Sequence, residues 1–311
     1  MKNFIIENKR VLLPGVVFII IIFIGFMVLT FYSQRQLLID ADKQSLQILA
    51  NEKALHINTF LENQKEKQVI ISSVGVFKEA VLYPNDTAKI ETAKKRIEEL
   101  KDIIPGISIL NNEGIVVIAD IDLPGTDYGQ LPYFIEKRQD ITFTNYYDPL
   151  RKKDYYAVGG PIYDRIEKNK VIGVIAFDVE LNKISSLMKE TIDGGDRSEV
   201  YLIDETGLLL SGSKYIGEGN KNGVLIQEVK SDGAIECLEH LKKYGRNESV
   251  EEHTEEVIQY ISYMGNEVFG AHAYVPSIMG CVIAEKSVDE ITTFSLMDSI
   301  KNIFKKEVNN E

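Results

Sequence analysis

Gly106 to Asp120 reads GISILNNEGIVVIAD, and the fold turns on this stretch. Two short apolar runs flank Asn111-Asn112-Glu113-Gly114. Apolar strand, turn residues ending in Gly, apolar strand is a hairpin signature. A second stretch of the same kind follows. VYLIDETGLLL, from Val200 to Leu210, again runs an apolar strand into Asp, a Gly three residues on, and another apolar strand. Two further segments match in the same order. GVIAFDVELNKISSLM starts at Gly173 and GCVIAEKSVDEITTFSLM at Gly280. Both run apolar strand, charged residue, then amphipathic helix. Two ordered correspondences predict a tandem repeat.

Outward from the hairpin the period changes to helical. A helix is expected from Thr87 to Lys101, capped by Asp86 and ended by Pro105-Gly106. Upstream, Leu38, Leu46, Leu49, Leu55, Ile57, Phe60, Leu61, Val69 and Ile70 make a broken stripe, with no Pro or Gly between Gln34 and Gly75. This is a long helix whose stripe packs on its own domain or on a partner's matching helix. Downstream, ITFTNYYD (141–148), DYYAVGGPIYD (154–164) and KVIGVIAFDVEL (170–181) read as three more strands. The first unit is therefore α+β, with about five strands fronted by helices. The second places a helix at Gly233–Tyr244 and a strand in EEVIQYISYM (255–264).

Val11 to Tyr32, VLLPGVVFIIIIFIGFMVLTFY, is uncharged and long enough to cross about 30 Å of hydrocarbon as a helix. A cleavable signal would have a shorter apolar region and small residues after it. SQRQLLIDADK follows instead, so an uncleaved anchor is expected. Lys2, Lys9 and Arg10 precede the span, while Asp40 and Asp42 follow it. The positive-inside bias puts the N-terminus in the cytoplasm and the rest outside. Beyond Glu285, Ile291, Phe294, Met297, Ile300 and Phe304 recur at helical spacing among charges, which is an amphipathic helix and not a second span.

The 311 residues carry a formal net charge of -12, and no basic patch stands out, which argues against a nucleic-acid partner. The four histidines form no metal-binding spacing, and no GxSxG, phosphate-binding loop or GxGxxG is present. Neither catalysis nor a cofactor is expected. Cys237 lies in a helical pattern and Cys281 in a strand pattern. Outside the cell they either pair or stay as two buried thiols.

The segments DYGQLPYFIEK (127–137), YYAVGGPIYD (155–164) and GVIAFDVEL (173–181) resemble the double Cache sensor domain, which sits outside the membrane in bacterial and archaeal chemoreceptors and sensor kinases. The resemblance covers about Gln34 to Phe294. It implies two tandem PAS-like modules with antiparallel sheets, and a small ligand in the membrane-distal one. The expected boundaries are 1–10 cytoplasmic, 11–32 spanning, 33–75 long helix, 76–192 distal module, 193–288 proximal module and 289–311 terminal helix. In amino-acid-sensing members an Arg holds the ligand carboxylate, a Trp-Tyr pair follows, and an Asp holds the ammonium. Here those positions are Leu131, Tyr133 with Phe134, and Asp178. An apolar side chain cannot replace a bidentate Arg–carboxylate contact.

Adjacent tyrosines in a strand face opposite ways, so about half of those in the first unit can line one pocket. Tyr133, Tyr147 and Tyr156 are the expected liners, because tyrosine boxes small polar or cationic molecules. Asp120 is the second carboxylate, and Lys137 and Arg138 are candidates for a relocated cation. An acidic, tyrosine-lined pocket suits an amine; amino acids and carboxylates complete the candidate class. The expected protein is a membrane-anchored sensor of a small molecule, a homodimer through its long helix, signalling by itself or through a separate partner. The alternatives are a tethered solute-binding or assembly protein, and an exported enzyme on a PAS-like scaffold.

Overall fold

The computed structural model describes residues 2–135, 141–148, 152–167, 169–189, 198–216, 223–244 and 257–291. Helix α1 runs unbroken from Lys2–Ser73. From Phe18 to Leu29 its apolar side chains are exposed, Phe18 by 65% and Leu29 by 70%, so this stretch packs on nothing else among the described residues. Farther on, Leu46, Ala50, Ala54, Ile57 and Leu61 are buried at intervals of three and four residues, and they carry one helix face across the core. The helix stops where Val74 turns extended before Gly75, a residue that weakens helices. A short helix α2 (Gly75–Leu82), not expected from the pattern, folds back and buries Phe77, Ala80 and Val81. Helix α3 (Thr87–Leu100) is capped by Asp86, whose carboxylate accepts from the Ala88 and Lys89 amides at 3.0 and 3.3 Å. Such a cap contributes about 1 kcal/mol.

The quoted hairpin forms β1 (Ser108–Asn111) and β2 (Val116–Ala119). With β3 (Thr142–Asp148), β4 (Lys153–Tyr163) and β5 (Val171–Asp178) they make a five-stranded antiparallel sheet in the order β2-β1-β5-β4-β3. A four-residue helix α4 (Pro132–Ile135) precedes β3, and α5 (Leu181–Lys189) leaves the sheet after β5. The second sheet contains β6 (Ser198–Ile203), β7 (Ile258–Ile261), β8 (Glu267–Val275) and β9 (Gly280–Ser287), ordered β6-β9-β8-β7. Helix α6 (Asp232–Tyr244) lies between β6 and β7 in sequence and packs on β8 and β9.

The two sheets share their topology, since β1-β5-β4-β3 and β6-β9-β8-β7 have the same order. Asn111 pairs with Gly173, and the segment matches place Asp204 and Gly280 at the same points of the second sheet. The repeat differs at its hairpin. After the turn at Asp204–Gly207 the second limb forms only isolated bridges, Ile203 with Leu209 and Leu208 with Glu228. Of the terminal amphipathic pattern, Ile291 is described and buried, and the remainder lies outside the described residues.

Helix α1 serves both sheets. Its Gln47 donates to the His272 carbonyl at 3.0 Å, and Asp42 pairs with Lys286 at 2.9 Å. Nearer its far end, the Gln68 carboxamide lies over Gly160 of β4, where any Cβ would collide with it. Cys237 of α6 and Cys281 of β9 form a disulfide, which settles the two readings of that pair.

Candidate functional site

Register decides which side chains meet. Ala157 pairs with Asp178 and Gly159 with Ala176, so these residues share one face of the first sheet. Tyr146 pairs with Tyr155, two residues from Ala157, and both tyrosines share that face. The other face, carrying Val158, Ile175 and Phe177, is buried against α1. On the outward face Leu110, Tyr128, Phe134, Tyr146 and Val174 form a separate buried cluster, with Leu131 and Tyr155 packed against it.

Asp178 ends β5 at the edge of this cluster. The Tyr146 phenol donates to its Oδ1 at 3.4 Å. Its carboxylate rests against Gly106, where a Cβ would collide with it. Gly106 also has φ +68°, so the position favours glycine twice over. The Gly106 amide donates to Asp120 Oδ2 at 3.4 Å, and the two predicted carboxylates therefore flank one glycine. A third carboxylate, Asp122, is buried and accepts from the Tyr128 phenol at 3.1 Å and from the Ser108 hydroxyl. The sequence reading passed over Asp122 because it follows the strand end inside a polar turn.

Beside Asp178 opens a cleft of about 600 Å³. Its walls are the start of β4, the end of β5, α5, and Gly212, Val224 and Leu225 from the second unit. Asp154, Asp178 and Glu180 line it against Lys189, so its charged residues are mostly acidic. Glu180 is also paired with Lys183. Helix α5 begins three residues after Asp178, and its last turn is held by Lys53 of α1, whose Nζ donates to the Leu187 carbonyl at 2.7 Å. Lys53 is only 3% exposed, which makes this contact a fixed link from the cleft wall to the long helix.

Of the expected set, Asp120 and Asp178 flank Gly106, and Phe134 lies in the apolar cluster that includes Tyr146. Tyr156 borders the cleft, but its ring stacks on Phe143 at 5.9 Å and belongs to the core beside α1. Tyr147 lies elsewhere. It pairs with Asp154 on the face opposite Tyr146 and is 55% exposed. The tyrosines beside Asp178 are Tyr146 and Tyr155, one step away in each pair. The backbone of Tyr133 lies in α4, while its side chain, with Lys137 and Arg138, lies outside the described residues. Among the described residues no group of His, Cys, Asp or Glu is arranged to hold a metal ion.

The fold recurs in sensor domains. The chain is similar to the sensor domain of the V. cholerae histidine kinase DctB, with TM-score 0.57 and 11% identity, covering 80% of this chain and 98% of that one. It is similar to the ligand-binding domain of the Campylobacter jejuni chemoreceptor Tlp3, solved with L-valine, at TM-score 0.55 and 16% identity over 83% and 97% of the two chains. The ligand-binding domain of the Pseudomonas fluorescens chemoreceptor CtaA, solved with L-serine, gives TM-score 0.55 and 12% identity over 80% and 99%. No curated protein matches the sequence. Residues 33–293, which take in both sheets and most of α1, match the Cache domain, and the chain belongs to that family.

Proposed function

We propose that the chain is a membrane-anchored extracytoplasmic sensor whose first unit, residues 76–192, binds a small organic ammonium compound. The observation that carries this reading is the acidic, tyrosine-bordered cleft at Asp178. Chemoreceptor domains of the same fold were solved with L-valine and L-serine, which bear an ammonium group. Leu131 packs in the apolar cluster at the position where the family's amino-acid sensors place Arg. That favours an amine over an α-amino acid, since a carboxylate would lack its bidentate partner. The apolar, exposed start of α1 supports the anchor, and the flanking charges favour an N-terminus in the cytoplasm.

Ligand binding is expected to raise the unfolding free energy of the full chain by about 2.7 kcal/mol at a hundredfold excess over Kd. Replacing Asp178 by Ala removes a charge-assisted contact and weakens binding by roughly 10- to 100-fold. A thermal-shift series of amines, amino acids and carboxylates on the wild type and Asp178→Ala checks both. Equal responses of the two proteins, or no response to any compound, would sink the reading.

The output is a shift of α1, delivered through α5 and Lys53. Ile48, Leu55 and Val69 of α1 are 60%, 47% and 53% exposed and fall on one seven-residue repeat. That spacing suits a second copy of the same helix. Leu55→Glu is therefore expected to turn a dimer into a monomer in sedimentation runs on detergent-solubilised full chain. A wild type that sediments as a monomer would remove the dimer from the mechanism.

A further inference from the structure

Glu285 occupies in β9 the repeat position that Asp178 occupies in β5, six residues into GCVIAE as Asp178 is in GVIAFD. The two carboxylates have different surroundings. Glu285 is 3% exposed, and its Oε1 accepts two phenols, Tyr201 at 2.7 Å and Tyr260 at 2.8 Å. Directly across the β6–β9 ladder stands Glu199, which is 4% exposed. Its Oε1 accepts the Lys214 amide at 2.8 Å, and its Oε2 accepts the Tyr263 phenol at 2.6 Å. By the hairpin match, Glu199 stands where the first unit has Gly106. Where the first unit sets a glycine against its carboxylate, the second sets another carboxylate.

The titratable groups around the pair also include His240 of α6, whose ring stacks on Tyr274 of β8 at 4.9 Å. Across β8 the partner of Glu285 is Gly270, whose missing Cβ admits the Tyr260 phenol, and His272 follows on the same face. From α6 comes Asp232, a further acidic group that acts on Tyr260. Among the described residues no Lys or Arg side chain forms an ion pair with Glu199 or Glu285. Two like charges facing each other in a low-dielectric interior disfavour joint ionisation, and one of them then keeps a proton.

We propose that the second sheet carries a buried proton-binding site, the Glu199–Glu285 pair, which takes up one proton from solvent and signals that uptake to α1. The proton goes to a carboxylate oxygen, and no other bond changes. Burial, with the charge of Glu199 adding to it, pushes the Glu285 carboxyl up to about 7 despite the two phenols that oppose the shift. Uptake makes the Glu285 group a weaker acceptor for Tyr201 and Tyr260, which tie β6 and β7 to β9. The next residue, Lys286, holds Asp42 of α1 and is the exit of the signal. The site is independent of the amine cleft and couples the same helix to external acidity.

Infrared titration of the full chain in detergent is the test. A protonated-carboxyl band is expected to disappear with a midpoint near 7 and to be missing from Glu285→Gln. Glu199→Gln should move the midpoint down, because the like charge is gone. Tyr260→Phe should move it up, because a donor to the charged form is gone, and this variant keeps the test decisive if Glu285→Gln does not fold. Stability gives a second readout. The folded chain keeps a proton between the ordinary value of 4.5 and about 7 that the unfolded chain has lost, so stability falls as pH rises across that window and is flat above it. Glu285→Gln should abolish the fall. A midpoint in the ordinary glutamate range, or a neutral-range titration that survives both Gln substitutions, overturns the proposal.

Discussion

Loss of the Cys237–Cys281 disulfide is expected to cost about 4 kcal/mol of unfolding free energy. The bond closes a loop of 44 residues, and the chain-entropy relation gives about that value for a loop of this length. Both sulfurs belong to fully buried residues, one on α6 and one on β9, so the bond fastens the outer helix of the second unit onto its sheet. The segment it encloses contains β7 and β8. The double variant Cys237→Ala/Cys281→Ala should therefore unfold at a lower urea midpoint than the oxidised wild type, and the loss should appear first as faster amide exchange in β7 and β8. Unchanged exchange there, with an unchanged midpoint, would show the bond to be mechanically idle. Disulfides persist in oxidising surroundings, so this one also supports placing the second unit outside the cytosol.

Gly270→Ala should be nearly as damaging, at about 3 kcal/mol, although it adds a single methyl group. A Cβ at 270 would overlap the Tyr260 phenol at three of its atoms. Relief requires either that β8 shift or that the phenol withdraw from Glu285. Withdrawal removes a hydrogen bond to a buried carboxylate, a loss of roughly 1.5–3 kcal/mol, and the crowding itself adds about 1–3 kcal/mol. Gly75→Ala is the matched control, because nothing lies within 4 Å of a Cβ there and its φ is ordinary for an L residue. It should be neutral or slightly stabilising by helix propensity. Chemical denaturation of the three proteins decides the point, and equal midpoints for Gly270→Ala and wild type would contradict the close packing at Tyr260.

Local pattern revealed the elements, because each has its own period and its own punctuation. The hairpin at Asn111–Gly114 and the Asp86 cap were legible in this way, and the ordered segment matches announced a second unit. Relations between distant strands were not legible. That adjacent tyrosines face opposite ways follows from any strand, but the choice of Tyr146 and Tyr155 over Tyr147 and Tyr156 depends on Ala157 pairing with Asp178, a long-range register. Glu285 was hidden for a similar reason. A charge at the end of an apolar run reads as a solvated strand end, and only the arrival of Tyr201 and Tyr260 from two other strands makes burial tolerable. Helix α2 was missed because Gly75 reads as a stop, whereas three buried residues of tertiary packing restart the helix.

Helix α1 engages the second sheet at Gln47 and the first at Gln68, with no loop between the two engagements. The helix is thus a gauge as well as a strut. Each residue added between those points would turn everything beyond it by about 100° and advance it by about 1.5 Å. A single insertion would point Gln68 away from Gly160, while seven would restore the bearing to within about 20°. Length changes that a surface loop absorbs freely are therefore quantised here: the distance between the two sheets can change only in steps that restore the helix bearing, such as about seven, eleven or eighteen residues, while both remain seated on the same helix.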